Sequence, residues 1–61
     1  MTKFVDVSHV QAGDELVMNQ VHYAVEYVEP NGIAFDMQLQ SEQGGKIRKC
    51  FTVGEMVSIT I

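Results

Sequence analysis

Ile33, Phe35, Met37 and Leu39 are apolar at every second position, with Ala34, Asp36 and Gln38 between them and Gln40 following. Alternation with a period of two marks a strand with one face buried. Val21, Tyr23, Val25 and Tyr27 repeat the pattern against His22, Ala24, Glu26 and Val28. Val57, Ile59 and Ile61 repeat it against Ser58 and Thr60. Glu15 to Met18 is a shorter fourth strand, and Lys46 to Phe51 a fifth with Ile47 and Phe51 on one face. In that register Lys49 points inward and Cys50 outward; a bulge near Lys49 would return Cys50 to the core. No window carries a sustained i, i+3, i+4, i+7 apolar set, so no helix is predicted.

The residues between these runs are turn formers. Asn31-Gly32 tolerates the positive φ of a type I′ hairpin turn, and Pro30 keeps Glu29 extended. Asn19-Gln20 is a tight turn of poor chemistry, because Gln lacks the tolerance for positive φ that Gly supplies. Ala12-Gly13-Asp14 turns the chain into the Glu15 strand, and Ser41 to Gly45 is a longer hairpin loop. Thr52 to Glu55 is a short turn, read as one 3₁₀ turn, before the last strand. Five short strands at this spacing predict an all-β fold, a small five-stranded SH3-like antiparallel barrel spanning 1–61 as a single domain.

At 61 residues the core is thin, and stability of a few kcal/mol is expected unless a partner or a second copy covers more apolar surface. Apolar residues make up 46%, which argues against wholesale disorder. The one cysteine, Cys50, closes no intrachain disulfide. The first residues lack a signal-peptide pattern, and no apolar run approaches the length of a membrane span. A complete small cytoplasmic protein with no membrane contact is expected. The net charge is −4, which disfavours non-specific binding to phosphate backbones. Of the four Lys and Arg residues, three are Lys46, Arg48 and Lys49. They are read either as a solvated strand end or as a local basic patch on an acidic body.

The order of residues resembles a known family. Ala12-Gly13-Asp14 precedes a strand and a turn, then come Tyr23-Ala24-Val25-Glu26-Tyr27-Val28 and Pro30-Asn31-Gly32-Ile33-Ala34-Phe35. A strand ending at Leu39, a Gly-rich turn, Lys46, and Phe51 followed by Gly54-Glu55 complete the series. From about position 10 to 58 this resembles the N-terminal SH3-like (KOW-type) domain of the elongation factor P family. The resemblance implies a fold and suggests contact with RNA or the ribosome. It assigns no functional residue, because the loop tip that carries a lysine in the family is Asn31-Gly32 here. The family's OB-fold domains have no counterpart in these residues, and fold alone does not give function.

Catalytic chemistry needs a nucleophile, a base and a charge-stabilising group around one pocket, and no such constellation is legible. His9 and His22 stand without Cys or carboxylate partners at metal-ligand spacing, so no metal, cofactor or catalytic residue is assigned. Cys50 is read as a small apolar filler, with a thiol activated by Arg48 and Lys49 as the alternative. Gly44-Gly45-Lys46 lacks the strand-to-helix context of a phosphate loop. Asp14-Glu15 is read as a turn-and-cap pair, and Met37 and Met56 as core or as a soft contact surface. The expected function is therefore a non-enzymatic protein-interaction module, an adaptor or inhibitor acting through an acidic surface, a barrel groove or a strand edge. Its candidate contact residues are Tyr27, Glu26, Asp36 and Met56, with Ile61 as further exposed apolar surface. The alternative is a nucleic-acid module using Lys46, Arg48 and Lys49, with Tyr23 or Tyr27 stacking on bases. A second copy of the chain remains open as a partner.

Overall fold

The computed structural model describes residues 1–61 as six strands and one 3₁₀ turn. The strands are β1 (Thr2–Asp6), β2 (Glu15–Met18), β3 (Val21–Asn31), β4 (Ala34–Ser41), β5 (Lys46–Thr52) and β6 (Met56–Thr60). The 3₁₀ turn, Val7–His9, follows β1. All strands join one antiparallel sheet in the order β1-β6-β2-β3-β4-β5. No ladder joins β1 to β5, so both are edge strands.

The five strands expected from alternation all form, and β1 is the sixth. Its alternation is inverted relative to its apparent apolarity. Phe4 sits opposite Ser58 and is 74% exposed, while Val5 sits opposite Val57 and packs on the core. The 3₁₀ turn also lies at this end rather than at Thr52–Glu55. Asp6 caps it, accepting from the Ser8 N–H at 2.9 Å. The Thr52–Glu55 segment is a turn in which Gly54 takes φ +99°, a conformation that disfavours any side chain.

The β2–β3 hairpin follows the sequence reading, and the β3–β4 hairpin corrects it in detail. Asn19 and Gln20 both take positive φ, 51° and 67°, joining Met18 to its partner Val21. At the β3–β4 hairpin the strands reach Asn31 and Ala34, so the turn residues are Gly32 and Ile33. Only Gly32 has positive φ, the type II′ pattern, and Asn31 stays in the strand. Ile33 leaves the sheet as a consequence and is 73% exposed instead of joining the buried face.

The core is Val7, Val10, Leu16, Val25, Met37, Leu39, Phe51, Val57 and Ile59. Tyr23, Val28 and Phe35 pack against it with Val5 and Met18. A bulge at Glu26 sets which half of β3 faces inward. Val25 pairs with Leu39, but Tyr27 pairs with Gln38 and Val28 with Met37. The extra residue inverts the alternation. Val28 therefore lies on the core and Tyr27 on the other face, against the expectation from Val21, Tyr23 and Val25. Ile61 lies beyond β6 and is exposed.

Candidate functional site

Cross-strand register brings Glu26, Tyr27, Glu29, Asp36, Gln38, Lys46, Arg48 and Cys50 to the outer face of β3, β4 and β5. Two of the three carboxylates there, Glu26 and Asp36, are engaged, while Glu29 is exposed. Glu26 Oε1 accepts from Gln38 Nε2 at 2.8 Å, and its Oε2 lies 3.6 Å from Lys46 Nζ. Asp36 stands opposite Cys50 and accepts the thiol's hydrogen bond, which with some burial holds the thiol above the ordinary range. This corrects both readings of Cys50. It is exposed, because the β4–β5 ladder runs without a bulge, and the Asp36 carboxylate opposite it opposes the activation expected from Arg48 and Lys49.

The expected contact residues do not form one surface. Tyr27, Glu26 and Asp36 share the outer face of β3 and β4. Met56 lies in β6, on the far side of β2 and opposite Asp6 of β1. There Lys3, Phe4, Val5, Asp6, His9, Met56 and Ile59 line an open depression of about 550 Å³. Asp6 is held in place on its rim. Its second carboxylate oxygen accepts from the Gly54 N–H at 3.0 Å. The Ser8 N–H first, and the Gly54 N–H after it, keep this carboxyl below its ordinary range.

The basic residues are also divided. Arg48 opposes Gln38 on the outer face, whereas Lys49 opposes Met37 and stands on the core side between Ile47 and Phe51. No single face presents Lys46, Arg48 and Lys49 together. With Lys46 beside Glu26, Arg48 and Lys49 are exposed cations that form no ion pair.

His22 has a partner that sequence spacing concealed. Its Nδ1 lies 2.9 Å from Glu15 Oε1, reached across β2 and β3, and the Thr60 hydroxyl donates to the same oxygen at 2.7 Å. The Thr60 hydroxyl first and then His22 hold Glu15 below its ordinary range. The arrangement ties β6, β2 and β3 together, and neither His22 nor Thr60 reaches the other as a base would reach a nucleophile. No group of three His, Cys, Asp or Glu side chains is placed to hold a metal ion.

The site that side-chain patterns did not reveal is the backbone of β5. In an antiparallel ladder, alternate residues turn their N–H and C=O toward the neighbouring strand and away from it. At one end of β5 the Ser41 N–H donates to the Gly45 C=O at 2.7 Å, and at the other the Val53 N–H donates to the Ile33 C=O at 2.9 Å. Between them the register is unbroken, from Gln40 opposite Lys46 to Ala34 opposite Thr52. Ile47, Lys49 and Phe51 thus turn their backbone toward β4, and Lys46, Arg48, Cys50 and Thr52 turn theirs away. Thr52 is closed off, since its N–H donates to Glu55 Oε2 and its C=O accepts from the Glu55 N–H at 3.0 Å. Lys46, Arg48 and Cys50 keep free donors and acceptors along an open edge. At the other edge, β1, the residues so exposed are Thr2, Phe4 and Asp6, by the same alternation from the Met1–Ile61 and Val7–Glu55 bonds.

No family model, curated protein or solved structure matches this chain. No helix is long and apolar enough to cross a membrane.

Proposed function

We propose that the chain is a protein-interaction module that works without catalysis and binds an extended segment of a protein partner as an added strand along β5. The observation that carries this reading is the row of free N–H and C=O groups at Lys46, Arg48 and Cys50. An exposed sheet edge is a template for another strand, and main-chain hydrogen bonds supply most of the affinity in such complexes. At seven residues β5 is also the longer of the two edge strands. We further read the fold as an SH3-like barrel carrying an extra N-terminal strand. Strands β2 to β5 form a meander and β6 returns to β2, which gives the order β6-β2-β3-β4-β5 that this class of barrel uses. The single unpaired thiol favours a cytoplasmic setting.

An acidic docking surface at Glu26 and Asp36 has less support, because both carboxylates are already engaged within the chain. The nucleic-acid alternative has less support because Arg48 and Lys49 lie on opposite faces of β5 and the net charge is −4.

The test is Cys50→Pro. Proline is tolerated on an edge strand where the N–H faces outward, so the fold should persist while one free donor is lost. A displayed library of random heptapeptides is selected on the immobilised wild-type protein. The selected peptides should bind the wild type and lose most of their affinity for Cys50→Pro. Equal binding to both, with unchanged circular dichroism, refutes strand addition at β5.

A further inference from the structure

We infer that the strand added to β5 is acidic at two consecutive positions and apolar on either side of them. In an antiparallel complex its order is apolar, any residue, acidic, acidic, apolar. The inference rests on the reading of β5 as a docking edge and adds the chemistry of the occupant.

The argument is one of facing. Successive side chains of a strand point to opposite faces of the sheet, so an added strand meets β5 on both faces at once. On the core side it meets Phe51, Lys49 and Ile47 in turn; on the outer side it meets Cys50, Arg48 and Lys46. Lys49 and Arg48 are neighbours in sequence, point to opposite faces, and are both exposed and free of ion pairs. Only a chain that also alternates faces brings one carboxylate to each. A nucleic-acid backbone lying on one face reaches one cation and not the other. The core-side neighbours of Lys49 are Ile47 and Phe51, and Ile47 is 39% exposed. An apolar side chain opposite Ile47 covers surface that the thin core leaves open, and one opposite the buried Phe51, 7% exposed, keeps that row apolar. Lys46 imposes no third acid, since Glu26 already faces it at 3.6 Å. The antiparallel sense follows the rest of the sheet, in which every ladder is antiparallel, and that pairing is the slightly more stable per residue.

The experiment uses the whole chain, labelled with nitrogen-15, and four probes. They are the capped heptapeptide Thr-Val-Thr-Asp-Asp-Val-Thr, its reversed sequence, its Lys-Lys counterpart and oligo-dT. Affinity and amide exchange at Lys46, Arg48 and Cys50 are read together. The Asp-Asp peptide should bind about tenfold more tightly than the Lys-Lys peptide, given two exposed ion pairs of roughly two- to fivefold each. It should also bind more tightly than its reverse and slow exchange at Arg48 and Cys50. The double variant Arg48→Glu, Lys49→Glu should invert the charge preference. If the Lys-Lys or reversed peptide binds as well and still slows those amides, the inferred sequence is wrong and strand addition stands. If no peptide slows them, both the sequence and the docking reading fall. Tight binding of oligo-dT that displaces the peptides overturns both in favour of nucleic acid. Slowing that rises with protein concentration and no peptide present names a second copy as the occupant and overturns the inference.

Discussion

Gln20→Gly should stabilise the protein, and the size of the gain follows from the β2–β3 turn. Met18 faces Val21, so Asn19 and Gln20 alone make the reversal, both with positive φ. A two-residue turn of this kind matches the twist of its strands only with that conformation at both central positions. A side chain with a Cβ in the left-handed region costs about 1–2 kcal/mol, and Asn bears it better than Gln. Gln20 forms none of the side-chain hydrogen bonds in the structure, so replacing it removes no contact of that kind. Glycine removes the strain but returns about 0.5–1 kcal/mol through the freedom it adds to the unfolded chain. The net gain is about 0.5–1 kcal/mol, or a rise in Tm of about 2–8 °C for a domain of this size. Thermal and urea unfolding followed by circular dichroism measure it, with an unchanged urea slope as the check on two-state behaviour. Gly54→Ala is the companion. An added Cβ there meets nothing within 4 Å, so its cost, about 1 kcal/mol or more, comes from the backbone at φ +99°. A Gln20→Gly variant no more stable than the parent, beside a Gly54→Ala variant that is equally neutral, would refute the premise that positive φ is strained in these turns.

Three further outcomes follow from the site. Asp6 and Glu15 are held below their ordinary values of 3.8 and 4.5, so the stability they contribute is complete above those values and lost as pH falls through the lower folded ones. The urea midpoint should therefore drop from about pH 5 downward, and Glu15→Gln should flatten part of that drop. Cys50 should alkylate slowly with iodoacetamide although it is exposed, and Asp36→Asn should speed the reaction by about threefold for each unit the thiol falls, thiolate gain outweighing lost nucleophilicity; an equal rate in both proteins would remove Asp36 as the cause. Lys49→Val should leave the monomer folded but make the core-side row of β5 continuously apolar from Ile47 to Phe51. Sedimentation should then show concentration-dependent self-association absent from the parent, because an inward charge on an edge strand guards that edge.

Much of the fold was legible because period-two alternation survives wherever register is regular. It identified β2 to β6 and placed Leu39, Met37 and Phe51 in the core. It missed β1 because the one aromatic of that segment, Phe4, faces solvent, so the segment has no apolar row of its own beyond Val5. It also placed Ile33 in a strand, since nothing local decides whether Asn31-Gly32 or Gly32-Ile33 occupies the two central positions of the hairpin. The pairing of His22 with Glu15 depends on the register of the β2–β3 hairpin, and that of Asp6 with Gly54 joins residues 48 apart, so no spacing along the chain encodes either.

The candidate site was the least legible part, and the reason is parity. At Glu26 one extra residue inverts the facing of Tyr27 and Val28, moving an expected contact residue off one face and an expected polar-side residue onto the core. At β5 the sequence offered a matching choice, a bulge that would bury Cys50 or an unbroken strand that turns Lys49 inward. The structure takes the second, because Ile47, Lys49 and Phe51 share the hydrogen-bonded rows that face β4 without interruption. An inward lysine at an edge is tolerated where its long stem covers apolar neighbours and its amine reaches water. The same parity that turns Lys49 inward turns the backbone of Lys46, Arg48 and Cys50 outward. One phase choice thus protects the edge against flat apolar stacking while leaving its hydrogen-bonding row open to a strand of the right charge. Selectivity at such an edge rests on the two cations rather than on the backbone, so Lys49→Val and Cys50→Pro should separate the two effects: the first loosens discrimination, the second removes binding.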